Sequence, residues 1–207
     1  MVGPSGIGKT TLAKRISEIT GIPFVSGSYS ELVPVTKEVS HEDMIKTNPQ
    51  QIIQQDNELF TKRCQLYNTY EQFISDRSFV DNITYFINKL SYQIDVVDMD
   101  SFIDSCIEAT EKYATHLIFI PFRVEMMDEF KIEDNSKRII NPWYQLQISS
   151  IMTTVITQCL DKRFTTNDNY VSMVSKEDGG IKVLVLLSTD FEERLKTTLN
   201  FIEWKEK

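Results

Sequence analysis

Residues 3 to 10 read Gly3-Pro4-Ser5-Gly6-Ile7-Gly8-Lys9-Thr10, which fits G-x-x-x-x-G-K-[ST] at every fixed position. Each residue type there answers a physical need. Gly6 and Gly8 let the backbone turn so that successive N–H groups face inward toward anionic oxygens. The helix expected to start near Lys9 adds its positive dipole end at the same spot. Lys9 is a mobile point charge for β and γ phosphates, and the Thr10 hydroxyl is a hard oxygen ligand for Mg²⁺. A chain of this length would match by chance roughly once in a hundred. The alternative, a Gly-rich turn before a ligand-free helix, is weakened by the amphipathic stretch that follows at once, with Leu12, Ile16 and Ile19 on one face. The expected ligands are ATP and Mg²⁺, held by Gly3, Ser5, Gly6, Ile7, Gly8, Lys9, Thr10 and Thr11.

Beyond this loop the pattern alternates. A helix over Thr10 to Thr20 closes at Gly21, and Ile22 to Val25 reads as a short buried strand. Gly27 to Pro49 reads as loop with one short helix, and a polar helix follows from about Gln50 to Tyr67. Phe73-Ile74 is a second short strand. Helices are expected over Asp81 to Leu90 and Ser101 to Tyr113, then a strand, His116 to Phe122 (HLIFIPF). A charged stretch, roughly 125 to 141, precedes a long helix from Pro142 to Asp161. Thr165 to Gly180 reads as a loop or small hairpin, Val183 to Leu187 as a buried strand, and Phe191 to Trp204 as a closing helix. Buried strands alternating with helices predict one α/β domain over residues 1–207, a three-layer parallel sheet covered on both faces. The strand leading into the phosphate loop is reduced to Met1-Val2. Either the natural chain starts earlier or the architecture is cut short, and the first is the expectation favoured here.

Composition narrows the partners. The 207 residues carry a formal net charge of −8, which argues against a face built for duplex DNA. Cys64, Cys106 and Cys159 form no metal-ligand spacing and read as reduced thiols. No apolar run reaches the roughly 18 residues that span a bilayer, so the expected location is cytoplasmic, with no membrane contact. A homodimer is compatible with the sequence, which leaves the oligomeric state open.

A phosphate loop alone does not separate kinases from ATPases or GTPases. The discriminating segment is FISDRSFVDNITYF, residues 73 to 86. A strand ending in Asp76-Arg77 places both side chains at the carboxyl edge of the sheet, where open α/β folds bind ligands. Asp76 could take a proton from an attacking hydroxyl or hold Mg²⁺ through water, and Arg77 could clamp an acceptor phosphate or the transferring group. The plainer alternative is a solvated Asp-Arg pair capping the next helix, with Asp81 pairing nearby.

These motifs together resemble the P-loop kinases and ATPases around the ribosylnicotinamide kinase domain of NadR, a group with many phage-encoded members that borders the deoxynucleoside and thymidylate kinases. The group shares an N-terminal P-loop and a D-R-S-x-x-D-x-x-x-Y segment, matched here by Asp76, Arg77, Ser78, Asp81 and Tyr85. The resemblance implies a lid near residues 125–141, with Arg138 approaching the phosphates on closure, although Ser136 stands where relatives often carry Gly. It extends to LLSTDFEERLKTTLNFI, with Glu193-Arg194 near the start of the last helix.

Other features read more blandly. Lys37, Glu38, His41, Glu42 and Asp43 look like a solvated face, and His116 like a structural residue beside a buried strand. Tyr67, Tyr70 and Phe73 could stack on a base but are more often core or rim. The loop from Ser26 to Val35, with Tyr29 and Glu31, is the expected acceptor side. The resulting expectation is a P-loop kinase moving the γ-phosphoryl group of ATP to a small acceptor, a nucleoside or nucleotide, with Lys9, Asp76, Arg77 and Arg138 as catalytic residues and Thr10 and Asp76 on the metal. The alternatives are an ATPase that switches a protein partner, and a kinase acting on a hydroxymethylated base in phage DNA.

Overall fold

The computed structural model describes residues 1–33, 48–91, 96–127, 141–160, 162–167, 170–175 and 180–203. Helix α1, Lys9–Thr20, starts from Gly8 and ends at Gly21, whose N–H returns to Ser17 O at 2.9 Å from a left-handed φ of 73°. Strand β1, Phe24–Val25, leads to the single-turn α2, Tyr29–Leu32. Helix α3, Pro49–Tyr67, opens with Asn48 capping the Gln50 N–H and proline in the first turn. Strand β2, Ile74–Ser75, runs into α4, Phe79–Leu90, whose start is a capping box between Ser78 and Asp81. Helix α5 spans Val96–Tyr113 and strand β3 His116–Phe119, with Pro121 just beyond.

In the second half the described residues depart from the sequence pattern after Thr154. Helix α6, Pro142–Thr154, gives way to a π turn, Val155–Cys159, rather than continuing to Asp161. Threonine hydroxyls bond back to carbonyls four residues earlier, Thr153 to Ser149 at 2.9 Å and Thr157 to Thr153 at 2.8 Å, a pattern that loosens a helix. A hairpin of β4, Lys162–Asn167, and β5, Tyr170–Ser175, follows, so the expected loop or hairpin is a hairpin and begins earlier than predicted. Strand β6, Lys182–Leu186, and helix α7, Phe191–Phe201, complete the chain, with Asp190 capping the Glu193 N–H.

β1 and β2 pair in parallel, as do β3 and β6, and β5 and β4 add antiparallel beyond β6. Two residues join these pieces. Val2 donates to Ile118 O at 2.8 Å and accepts from Ile120 N–H at 3.0 Å, while the Met1 nitrogen donates to Ser75 O. Short as it is, Met1-Val2 occupies the central position between β2 and β3 and aims the chain into the phosphate loop.

Alternation along the strands then decides the layers. Leu117, Phe119, Val183 and Val185 face a core shared with α3, α4, α5 and α6. Ile118, Ile120, Leu184 and Leu186 face the opposite side, packed on Leu12, Ala13 and Ile16 of α1 and Leu195 of α7. The sheet is therefore covered on both faces, as expected. Aromatic contacts hold α4 in place, with Phe86 stacked on Phe102 at 4.2 Å and Phe79 edge-on to Phe60 at 5.4 Å. Among the described residues no helix is long and apolar enough to cross a membrane.

The close approach of the loop to β3 is testable. Gly3 has φ 149°, and a Cβ on it would lie 2.5 Å from Ile120 O. Gly3→Ala should cost about 2 kcal/mol or more and lower the melting temperature by roughly 4–8 °C. Gly21→Ala, also at positive φ but with open space around the new carbon, should cost less, about 1 kcal/mol. Thermal unfolding of both variants checks the order.

Candidate active site

The phosphate loop has the backbone its glycines permit, with φ of 80° at Gly6 and 93° at Gly8. Ile7 turns its side chain into the core, 5% exposed, and so offers only its backbone to the loop. Lys9 folds over the loop, its Nζ donating to Gly3 O at 2.5 Å and Pro4 O at 2.6 Å. Thr10 and Thr11 lie exposed on the first turn of α1, beside half-buried Ser5.

At the end of β2, Asp76 meets this loop. The Thr10 hydroxyl donates to Asp76 Oδ2 at 2.6 Å, and the Gly27 N–H donates to Oδ1 at 3.3 Å. One nearly buried carboxylate thus touches α1 with one oxygen and the segment leading to α2 with the other. A hydroxyl and a carboxylate are hard oxygen donors. Among the described residues no three His, Cys, Asp or Glu side chains gather as a cage. That donor set fits Mg²⁺, which keeps several waters and takes phosphate oxygens, better than it fits zinc or calcium.

Arg77 turns the other way. Its Nη1 donates to Asp81 Oδ1 at 2.9 Å, while Asp81 Oδ2 accepts the Ser78 N–H at 2.9 Å. Burial works to raise the Asp81 pKa, but Arg77, Lys9 and Arg63 outweigh it and hold the carboxyl below its ordinary range. Burial likewise opposes the Arg77 charge, and Asp81, followed by Tyr85, overcomes it and holds the guanidinium above its usual value. The plainer alternative, a solvated Asp76–Arg77 pair capping the helix, does not form: Asp76 is buried against Thr10 and Gly27, Arg77 pairs with Asp81, and the cap is made by Ser78 and Asp81.

Sequence reasoning missed the residue that ties this edge together. Arg63, on α3 and 2% exposed, donates to Ser78 O at 3.0 Å, to Gly27 O at 2.6 Å and to Asn82 Oδ1. The Tyr67 hydroxyl donates to Arg77 O and shares a hydrogen bond with the Ser75 hydroxyl, both at 2.8 Å. Tyr67 is accordingly core, packed 4.5 Å from Phe73, and is not placed to stack on a base. An arginine in a polar helix carries no signal of burial; only the packing of α3 against β2 and α4 reveals it.

Helix α7 reaches the loop as well. Arg194, 8% exposed, donates from Nη1 to Ile7 O at 3.1 Å and from Nε to Ser188 O at 2.5 Å. Beside it a depression of about 400 Å³ is lined by Thr10, Thr11, Lys14, Arg15, Glu18 and Phe191, a size that suits a small ligand. A larger one of about 550 Å³, bordered by Pro23, Ile74, Tyr113 and His116, lies at the amino edge of the sheet, away from Lys9. His116 is half-buried there, edge-on to Phe201. Tyr29 of α2 faces α3, where burial, then Asp56 and Glu58, raise its pKa. Arg138, most of the expected lid and the Lys37–Asp43 cluster lie outside the described residues.

Residues 1–69, a third of the chain, match the family described as ATPase family associated with various cellular activities (AAA). No curated protein sequence matches the chain. Among solved structures, deoxyadenosine kinase from M. mycoides with bound dATP is similar with a TM-score of 0.63 and 16% identity, covering 98% of this chain and 97% of that one. The same enzyme with bound dCTP gives 0.61 and 15% over 97% and 96%. YorR protein from Bacillus subtilis, in complex with phosphorylated GDP, gives 0.52 and 14% over 98% and 93%. At such identities the likeness is one of fold: a three-layer α/β P-loop NTPase fold along almost the whole chain.

The Arg77–Asp81 pair makes a pH-dependent prediction. The folded-state pKa of Asp81 lies below its ordinary 3.8, so its charge stabilises the protein above that value and the contribution is lost as pH falls through the lower folded one. Asp81→Asn should therefore cost about 2 kcal/mol or more at neutral pH. The gap from the parent protein should narrow as pH falls below the ordinary 3.8 and through the lower folded-state value, as followed by denaturant unfolding across pH.

Proposed function

We propose that this chain is a P-loop kinase that transfers the γ-phosphoryl group of ATP to a hydroxyl of a small acceptor, a nucleoside or nucleotide. The observation that carries this reading is the 2.6 Å contact between Thr10 of the phosphate loop and Asp76 at the end of β2, which brings a carboxylate to the point where donor phosphates and acceptor would meet. The kinase folds it resembles support the same class, since deoxyadenosine kinase is described with dATP and dCTP bound and YorR with phosphorylated GDP.

Each residue has a task in that reaction. Lys9 moves from the Gly3 and Pro4 carbonyls onto the β and γ phosphate oxygens and neutralises charge as the β–γ bridge bond lengthens. Thr10 directly and Asp76 through water would hold Mg²⁺, which would supply charge neutralisation across the phosphates. Asp76 Oδ1, on the Gly27 side, receives the proton of the acceptor hydroxyl as its oxygen bonds to phosphorus and ADP departs with the bridging electron pair. Arg138 of the lid stabilises the transferring group, while Arg77, which the sequence offered for the same task, is turned to Asp81 and holds the strand end that carries Asp76. Tyr29 and Glu31 belong to the acceptor side. On the motifs from Asp76 to Tyr85, the assignment within the P-loop kinases is to the NadR-like ribosylnicotinamide kinase group and its phage-type members, acting in the cytoplasm.

The AAA match over residues 1–69 favours a second reading, an ATPase that hydrolyses ATP to switch a partner. ATP turnover measured with and without nucleosides, nucleoside monophosphates and ribosylnicotinamide separates the two. The expected result is one acceptor that accelerates ADP release and is itself phosphorylated. Lys9→Ala and Asp76→Asn should each lower kcat about a hundredfold or more. Lys9-dependent hydrolysis that ignores every acceptor would instead establish the ATPase.

A further inference from the structure

We infer that Arg194 is a positioning residue for the phosphate loop: it holds the Ile7 carbonyl outward and thereby turns the Gly8 amide toward the bound phosphates. The inference rests on residues 3–10 being a phosphate loop and is independent of what happens to the phosphoryl group afterward.

The argument begins with the peptide unit. A trans peptide is planar, with its C=O and N–H pointing in opposite directions, so fixing one end fixes the other. The Ile7 carbonyl and the Gly8 N–H belong to one such unit, and Gly8 at φ 93° is the last residue before α1. The unit turns through ψ of Ile7 and φ of Gly8, and Gly8, with no Cβ, can take the φ that either orientation needs. The motif itself therefore does not determine which way the unit faces. Arg194 supplies what is missing. Its Nη1 lies 3.1 Å from Ile7 O, across 187 residues of sequence, and only 3.9 Å from where a Cβ on Gly8 would stand.

The arginine is itself fixed. Its Nε donates to Ser188 O at 2.5 Å, so the planar fork bridges two backbone segments at once. The first turn of α7 that carries it is pinned by Asp190 to the Glu193 N–H at 2.8 Å and by Ser188 Oγ to Glu193 at 2.5 Å. Burial of the fork, 8% exposed, leaves Ile7 O little competition from water. A lysine would place one donor point where the fork places two. Phe191 of the same helix lines the depression beside Thr10 and Thr11, so α7 holds the loop and shapes the adjoining surface together.

Binding of Mg–ATP, inorganic tripolyphosphate and adenosine, measured by calorimetry on the full chain, tests this. In Arg194→Met the expected result is about tenfold or greater loss of affinity for ATP and tripolyphosphate, the scale of one hydrogen bond to a charged group. Adenosine affinity should stay within about twofold, and Arg194→Lys should recover only part of the loss. A folded Arg194→Met that binds tripolyphosphate as the parent does would overturn the inference, as would equal losses for tripolyphosphate and adenosine. If Arg194→Met does not fold, Arg194→Lys carries the same readings with the charge retained. A parent chain that fails to bind tripolyphosphate sinks the phosphate loop and this inference together. One that binds it but phosphorylates no acceptor sinks the kinase reading alone.

Discussion

The hydrogen bonds of Val2 to Ile118 and Ile120 hold the sheet and the site in one register. They are few, at 2.8 and 3.0 Å, yet they lie between β2 and β3 and set where the chain enters the phosphate loop. The next residue, Gly3, runs so close to Ile120 that no side chain fits. From this point the loop, the start of α1 and the carboxyl end of β2 are all within reach of one another. Thr10 and Asp76 meet for that reason, though 66 residues separate them in sequence.

Around that meeting point the protein concentrates buried charge. Lys9, Arg63, Asp76, Asp81 and Arg194 are each nearly or wholly withdrawn from water. Such groups are tolerable only when each finds partners, because an isolated buried charge costs several kcal/mol. The partners divide into two sets. Arg63, Arg77, Ser78 and Asp81 bond among themselves and to the backbone, making a rigid corner where β2 becomes α4. Lys9, Asp76 and Arg194 bond to the phosphate loop or its helix, so this second set stands where an anionic ligand would be received. The first set keeps the second in place.

Much of the fold was legible because short apolar runs and glycine stops are local signals. The strands at β1, β2, β3 and β6 and the helices between them follow from residue spacing, and Gly8 and Gly21 bracket α1 as their backbone freedom requires. The π turn after Thr154 and the early start of the hairpin were not legible. They depend on a balance between threonine back-bonding and strand pairing with β6 that no local pattern records. Arg63 was equally silent, since an arginine in a helix rich in Gln that also carries Asp, Glu and Lys gives no sign of burial until its neighbours are known. Tyr67 misled in the opposite sense, offering an aromatic face that packing against Phe73 and Phe79 had already claimed.

The sequence by itself determined the chemistry of the loop. Glycines at positions 3, 6 and 8 with Lys9 and Thr10 supply the residue types that an anion cradle needs, because these properties reside in single residues and their spacing. It also determined that Asp76 and Arg77 end a strand. Only the tertiary structure decided how those two residues divide. Asp76 turns to Thr10 and Gly27, Arg77 turns to Asp81, and Arg194 arrives from the last helix to grip Ile7. The physical reason is that side-chain direction at a sheet edge follows from which elements pack beside it. Those elements, α1 beside Asp76 and α7 beside the loop, come from distant stretches of the chain and meet only in the fold.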